Sequence, residues 1–150
     1  MCSSDLRVPI DPDWLLLKTV EALPPRAIFV EESLTAARHI PALLPYRDRF
    51  SFHGLASGGI GWGLPGAVGA SLANPDRPVV CFTGDGSAMY TIQSLWTMAR
   101  EQLDVTVVIF ANRSYNILRG EFNAVGAGAR SEEHTSELQS HLKSRMPSSA

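Results

Sequence analysis

Asp85 stands between Gly84 and Gly86 at the end of one apolar run, and Asn112 ends the next such run 27 positions later (112 − 85). A carboxylate, an amide oxygen and a loop carbonyl are hard oxygen ligands, suited to a Mg2+ ion that also holds phosphate oxygens. The two glycines let the backbone turn sharply and approach a ligand closely. Ser87 adds a hydroxyl donor, and a helix opening at this point offers free N–H groups to an anion. A lone Gly-Asp-Gly is often only a turn, and an Asn closing a strand commonly caps a helix. The pair is more specific, because one β-α-β step sets the carboxyl ends of both strands on the same sheet edge.

The elements that must position this pair are legible around it. "PVVCFTG" (78–84) and "VTVVIFAN" (105–112) are continuous, β-branched and bounded by turn residues. Such runs suit strands covered on both faces. Between them "MYTIQSLWTMAREQL" places Ile92, Leu95, Trp96 and Ala99 at helical spacing. Upstream, Asp11 is an N-cap and Pro12 a first helical residue; Leu15, Leu16, Val20 and Leu23 keep one apolar side, and Pro24 and Pro25 stop the helix. "AIFV" (27–30) predicts a short strand ending in "EES", followed by helix-compatible "LTAARHI", and "FSFHG" predicts a further strand. The small-residue run "GGIGWGLPGAVGASLA" reads as a loop entering a tightly packed helix, with helix–helix packing accounting for Gly66, Ala67, Gly69 and Ala70. Strands alternating with helices predict an α/β fold, a doubly wound parallel sheet with helices on both faces, in one domain.

Composition narrows the function classes. A net charge of −2 with scattered Lys and Arg gives no basic stripe for nucleic acid. The apolar runs are short and broken by Gly or Pro, which predicts no membrane span, and "MCSSDLRVPID" lacks the apolar core of a signal peptide. Cys2 and Cys81 are too few for a disulfide scaffold; Cys81 reads as a small buried hydrophobe in a reducing compartment, which predicts a cytoplasmic protein.

The ends read differently from the middle. From Arg130 the text "RSEEHTSELQSHLKSRMPSSA" is polar and too poor in apolar residues to offset its chain entropy, which predicts a disordered tail. Residues 130–140 resemble the in-frame translation of a sequencing-adapter oligonucleotide, and residues 144–150 resemble a later part of it. "MCSSDL" resembles its reverse complement. The expected organisation is therefore adapter text at 1–6 and 130–150, around a domain fragment at 7–129.

The wording "GDGSAMYTIQSLWTMAREQLDVTVVIFANRSY" resembles the diphosphate-binding motif of thiamine-diphosphate-dependent enzymes. Over residues 27–128 the chain is similar to the C-terminal cofactor domain of the acetolactate synthase large-subunit and benzoylformate decarboxylase group. The resemblance implies that Asp85, the Asn112 side chain and the main-chain oxygen of Ser114 ligate Mg2+. It places Gly84, Gly86 and Ser87 at the diphosphate, with Tyr115 beside it. Where the family usually ends that strand in two asparagines, the first is Ala111 here and Asn112 is retained. "SGGIGWGLPGAVG" resembles the segment that holds the aminopyrimidine ring, with Gly58 and Gly59 at the ring and Ile60 as the apolar wedge that bends the cofactor. "EESLT" resembles a second phosphate-contacting loop, in which Ser33 and Thr35 donate hydrogen bonds.

The resemblance also implies what these residues lack. The activating glutamate of the family lies on a separate pyrimidine-binding domain of a second subunit, and Glu31, Glu32 and Glu101 do not match it. No catalytic residue is therefore assigned here, and the fragment alone is expected to be silent. The intact protein would act beside the carbonyl of a 2-oxo acid, by thiamine C2 attack, loss of CO2 and protonation or carboligation. It would be a homodimer or homotetramer, with FAD a further option. Glu121 stands where the benzoylformate enzyme is aromatic, which weakens an aryl substrate; the usual acetolactate synthase wording is absent there too. Arg113, Arg119 and Glu121 are pocket candidates or solvated charges, and His39 and His53 are isolated. Beside the acetolactate synthase-like reading and its alternative, a benzoylformate decarboxylase-like 2-oxo acid decarboxylase, two alternatives of other classes stay open. One is a nucleotide or phosphate binder of the same fold class, which predicts a G-x-G-x-x-G turn where "EESLTA" stands. The other is an inert paralogue.

Overall fold

The computed structural model describes residues 10–36 and 39–126. The adapter-like segments 1–6 and 130–150 lie outside them. The chain divides into two compact units, Met1–Arg113 and Ser114–Ala150.

The first unit is built on one parallel sheet. In chain order its elements are α1 (Pro12–Ala22), β1 (Ile28–Glu32), α2 (Ile40–Leu43), β2 (Phe52–Gly54), α3 (Gly63–Ala73), β3 (Val79–Gly84), α4 (Asp85–Tyr90), α5 (Ser94–Arg100) and β4 (Val105–Phe110). The strand order is β2-β1-β3-β4, every pair parallel. The chain leaves β1 for β2 on one side and leaves β3 for β4 on the other. The switch point, where a parallel sheet opens a ligand crevice, therefore lies between the carboxyl ends of β1 and β3. Glu32 pairs in register with Thr83 at that edge.

Alternation along the strands divides the core into two layers. Phe29, Val80, Phe82, Val108 and Phe110 face Leu16 of α1 and Ile40 of α2. Phe29 and Phe82 stack with ring centroids 6.2 Å apart, and Phe82 meets Phe110 at the same separation. Ile28, Val30, Val79, Cys81 and Val107 face the other way, against Leu64 and Ala67 of α3, Ala88 of α4 and Met98 of α5. Each large side chain so buried contributes roughly 1.5–3 kcal/mol. The doubly wound expectation, helices on both faces, is met.

Local chemistry explains the first helix. The Asp11 side chain accepts the Trp14 N–H at 3.0 Å, Pro12 occupies the first turn, and Leu23 caps the end before the two prolines. Leu16 is fully buried, while Leu15, Val20 and Leu23 are half-buried.

Five expectations are corrected. β1 runs two residues further than expected, through Glu32. Where a helix is expected over "LTAARHI", residues 34–36 form a turn, with Leu34 left-handed at φ 51, and the described helix α2 begins at Ile40. The long helix expected between β3 and β4 breaks at Thr91, whose hydroxyl donates to the Gly61 carbonyl at 2.8 Å; that tie to another loop outweighs helical continuation. Its buried residues are Ser94 and Met98, whereas Ile92, Trp96 and Ala99 are exposed. β4 ends at Phe110, two residues before Asn112, because β3 already turns into α4 opposite that point. β3 is covered on both faces as expected, whereas β4 is half-exposed, with Ile109 open to solvent.

The described part of the second unit is α6 (Asn116–Ala124) with its flanking residues. Tyr115 is its N-cap residue, and the Arg119 N–H donates to the Tyr115 carbonyl at 3.2 Å.

Candidate functional site

At the carboxyl edge of the sheet, β3 passes directly into α4, so Asp85 is both the residue after Gly84 and the first helical residue. Its carboxylate accepts the backbone N–H of Arg113 at 2.9 Å. That bond brings the segment after β4 against the Gly-Asp-Gly turn and sets Asn112, one residue earlier and exposed, on the same edge. Arg113 makes the necessary bend at φ 54, a left-handed conformation unusual for a residue with a side chain. Ser87 is buried two residues into α4, and Gly86 is half-buried beside it. Ser114 and Tyr115 belong to the second unit and are half-buried there. Among the described residues no group of three or more His, Cys, Asp or Glu side chains gathers to hold a metal. The oxygen donors on this edge are the Asp85 carboxylate and the Asn112 amide, whose chemistry suits a hard cation.

Across the switch point, Ser33 gives both its N–H and its hydroxyl to the Glu31 carboxylate, at 2.7 and 3.0 Å. Thr35 is half-buried in the following turn, which Leu34 enters with φ 51. A non-glycine residue with left-handed backbone therefore stands in both loops of this edge, after β1 and after β4.

The glycine-rich run divides by what a side chain would meet. At Gly61, φ is 98 and a Cβ would fall 2.6 Å from the Tyr90 Cβ. At Gly63 it would fall 2.7 Å from Glu32 Oε2, and at Gly66 it would strike the Trp62 ring. These three glycines are required by the chain's own packing. At Gly58 and Gly84 a Cβ would meet nothing within 4 Å, and at Gly59 only the Ser57 hydroxyl at 3.9 Å. Space beside these three is kept open. The helix–helix account of Gly66 and Gly69 is corrected: Gly66 sits under the Trp62 ring of its own loop, and nothing lies within 4 Å of a Cβ at Gly69. Ala67 is buried, against the sheet and α5. Ile60 is half-buried.

Sequence reasoning passed over Glu32. It is fully buried, and its Oε1 accepts from the N–H groups of Gly61 and of Trp62 (3.1 Å for the latter), its Oε2 from Gly63 at 2.8 Å. A signal was present: α3 opens on Gly-Trp-Gly with no side-chain cap of its own, so its first N–H groups need an acceptor from elsewhere. Cys81, fully buried behind this edge, has its thiol pushed up to about 12, by burial first and then by the Glu32 and Glu31 carboxylates.

Comparison with known proteins gives four findings. The family described as "Thiamine pyrophosphate enzyme, C-terminal TPP binding domain" matches residues 33–145. The chain is 52% identical over 107 residues to "Putative acetolactate synthase large subunit IlvX" of Mycobacterium tuberculosis, covering 71% of this chain and 21% of that protein. It is 40% identical over 112 residues to the benzoylformate decarboxylase of Pseudomonas aeruginosa, covering 74% of this chain and again 21% of the relative. Among solved structures, the thiamine diphosphate-dependent 4-hydroxybenzoylformate decarboxylase of Rhodococcus jostii superposes with a TM-score of 0.76 at 36% identity, over 85% of this chain and 24% of that one. The chain thus spans about a fifth of the length of the curated relatives.

Proposed function

This chain belongs to the thiamine pyrophosphate enzymes, as their C-terminal TPP-binding domain, and from that premise we propose that its sheet edge anchors Mg2+ and thiamine diphosphate. The observation that carries the reading is the Asp85–Arg113 bond, which gathers the carboxylate and the Asn112 segment on one edge beside open glycine backbone. Asp85, Asn112 and the Ser114 carbonyl are the proposed metal ligands. Gly84, Gly86, Ser87 and Tyr115 take the diphosphate, with Ser33 and Thr35 across the switch point. Gly58, Gly59 and Ile60 take the aminopyrimidine. The fit rests on the donor chemistry and on the free space at Gly58, Gly59 and Gly84. Bound thiamine diphosphate supplies a carbon nucleophile that also accepts the electron pair left by departing CO2.

The intact protein is proposed to act on a 2-oxo acid, by decarboxylation or carboligation, as an acetolactate synthase-like enzyme. Its catalytic glutamate would come from a pyrimidine-binding domain of a second subunit. Met89 (59%), Tyr90 (60%) and Trp96 (63%) on α4 and α5 are exposed, and such a partner would cover them in a dimer or tetramer. FAD use and a cytoplasmic setting belong to the same proposal; no helix among the described residues is long and apolar enough to cross a membrane. Residues 7–129 are the proposed extent of the domain fragment, although the family match runs on to residue 145. The raw nucleotide reads test that boundary, and uninterrupted homology through 130–150 would sink it.

The test of function is Mg2+-dependent binding of thiamine diphosphate by the intact protein, with Asp85→Asn as the control. Undiminished affinity in that variant refutes the ligand assignment. A benzoylformate decarboxylase-like enzyme is the second reading, favoured by the structural likeness to an aryl-substrate decarboxylase. Product analysis with pyruvate and with benzoylformate separates the two.

A further inference from the structure

Glu31 and Glu32 end the same strand and serve different loops. Glu31 turns back to Ser33, its own neighbour on the phosphate side. Glu32, fully buried, reaches 29 to 31 residues along the chain to the N–H groups of Gly61, Trp62 and Gly63. Burying a carboxylate is costly unless its oxygens are satisfied, and here three consecutive backbone donors at the positive end of α3 satisfy them. Gly63 is tied to this contact, since a Cβ there would fall on Glu32 Oε2. Gly61 is held from its other side as well, its carbonyl accepting the Thr91 hydroxyl at 2.8 Å where α4 ends.

We propose that Glu32 is a positioning residue for cofactor binding: it fixes the turn 61–63, and so holds Gly58 to Ile60 ready for the aminopyrimidine end, with Thr91 as the second brace. The proposal rests on the cofactor reading above. A glycine-rich loop without these ties would sample many backbone conformations and lose that freedom only on binding, which lowers affinity. The bonds of Glu32 and of the Thr91 hydroxyl run to residues 61–63, whereas the Asp85 carboxylate bonds the Arg113 N–H, so the brace acts on the pyrimidine end.

That division supplies the test. In the intact protein with Mg2+, dissociation constants are measured by calorimetry for thiamine diphosphate and for inorganic pyrophosphate, with folding checked by circular dichroism. Glu32→Gln keeps the volume but sets an amide N–H against a backbone N–H; it is expected to weaken thiamine diphosphate about tenfold, the loss of one charge-assisted hydrogen bond, while pyrophosphate stays within about twofold. Thr91→Val is expected to show the same selective pattern at about threefold, and it carries the test if Glu32→Gln does not fold. Equal weakening of both ligands, or no change in either, overturns the proposal. A wild type that binds neither ligand, or an Asp85→Asn variant that binds both normally, refutes the cofactor reading itself and the proposal with it.

Discussion

The Asp85 carboxylate accepts the Arg113 backbone N–H at 2.9 Å, joining the end of β3 to the loop after β4 across 28 residues of sequence. One carboxylate oxygen is used in shaping the edge, and the group stays half-buried beside the exposed Asn112. Asp85→Asn keeps an acceptor for Arg113 and removes the charge. Thiamine diphosphate affinity with Mg2+ is expected to fall roughly a hundredfold, a loss of about 3 kcal/mol, with the melting temperature nearly unchanged. Calorimetry and thermal melts on the same preparation check both halves.

Arg113 adopts its left-handed conformation at φ 54 with a full side chain. That conformation costs roughly 1–2 kcal/mol for a residue other than glycine, and glycine itself loses up to about 1 kcal/mol of chain freedom. Arg113→Gly is therefore expected to stabilise the fold by roughly 0.5–1 kcal/mol, measured by urea denaturation at unchanged slope. Destabilisation would show that the guanidinium contributes more than the backbone strain costs.

Gly61 and Gly58 should separate cleanly. Gly61→Ala places a Cβ 2.6 Å from the Tyr90 Cβ at φ 98, and is expected to cost roughly 2–4 kcal/mol of stability. Gly58→Ala meets nothing within 4 Å and is expected to leave stability within about 0.5 kcal/mol, while weakening cofactor binding. A large stability loss at Gly58 would remove the case that its open space serves a ligand.

Cys81 offers a pH-dependent readout. Its folded thiol is pushed up to about 12 from an ordinary 9.0, so between those values the unfolded chain ionises and the folded one does not. The folded state then binds the extra proton, and stability falls as pH rises, by about 1 kcal/mol per pH unit over that window. Below pH 9 the contribution is fully present. Cys81→Ser is expected to flatten this alkaline slope in denaturation curves taken from pH 8 to 11. In the folded wild type at pH 8, the same thiol should resist alkylation until urea unfolds the chain.

Much of the edge was legible because its determinants are local. Asp11 before Pro12, the β-branched runs around Cys81 and Val107, and glycines flanking Asp85 each announce their element within a few residues. What escaped depends on partners far apart in sequence. Thr91 breaks a helix that its own neighbours favour, because Gly61, 30 residues away, offers it an acceptor. Glu32 reads only as an acid that does not match the activating glutamate until the bare start of α3 is set against it. Nothing in "LTAARHI" or "ANRSY" marks Leu34 or Arg113 as left-handed, since the usual glycine signal is missing at both. Ile92 and Trp96 keep helical spacing yet face outward, because periodicity shows that a stripe exists and does not show what covers it.

β4 pairs with β3 on one side only among the described residues, and it leaves Ile109 open on a strand of six mostly β-branched residues. A long apolar strand with an unpaired row of N–H and C=O groups is a template for another copy of itself. Expressed on its own, the chain should therefore self-associate through β4 and precipitate as its concentration rises. Ile109→Lys should keep it in solution, which makes the handling of the chain a matter of that strand.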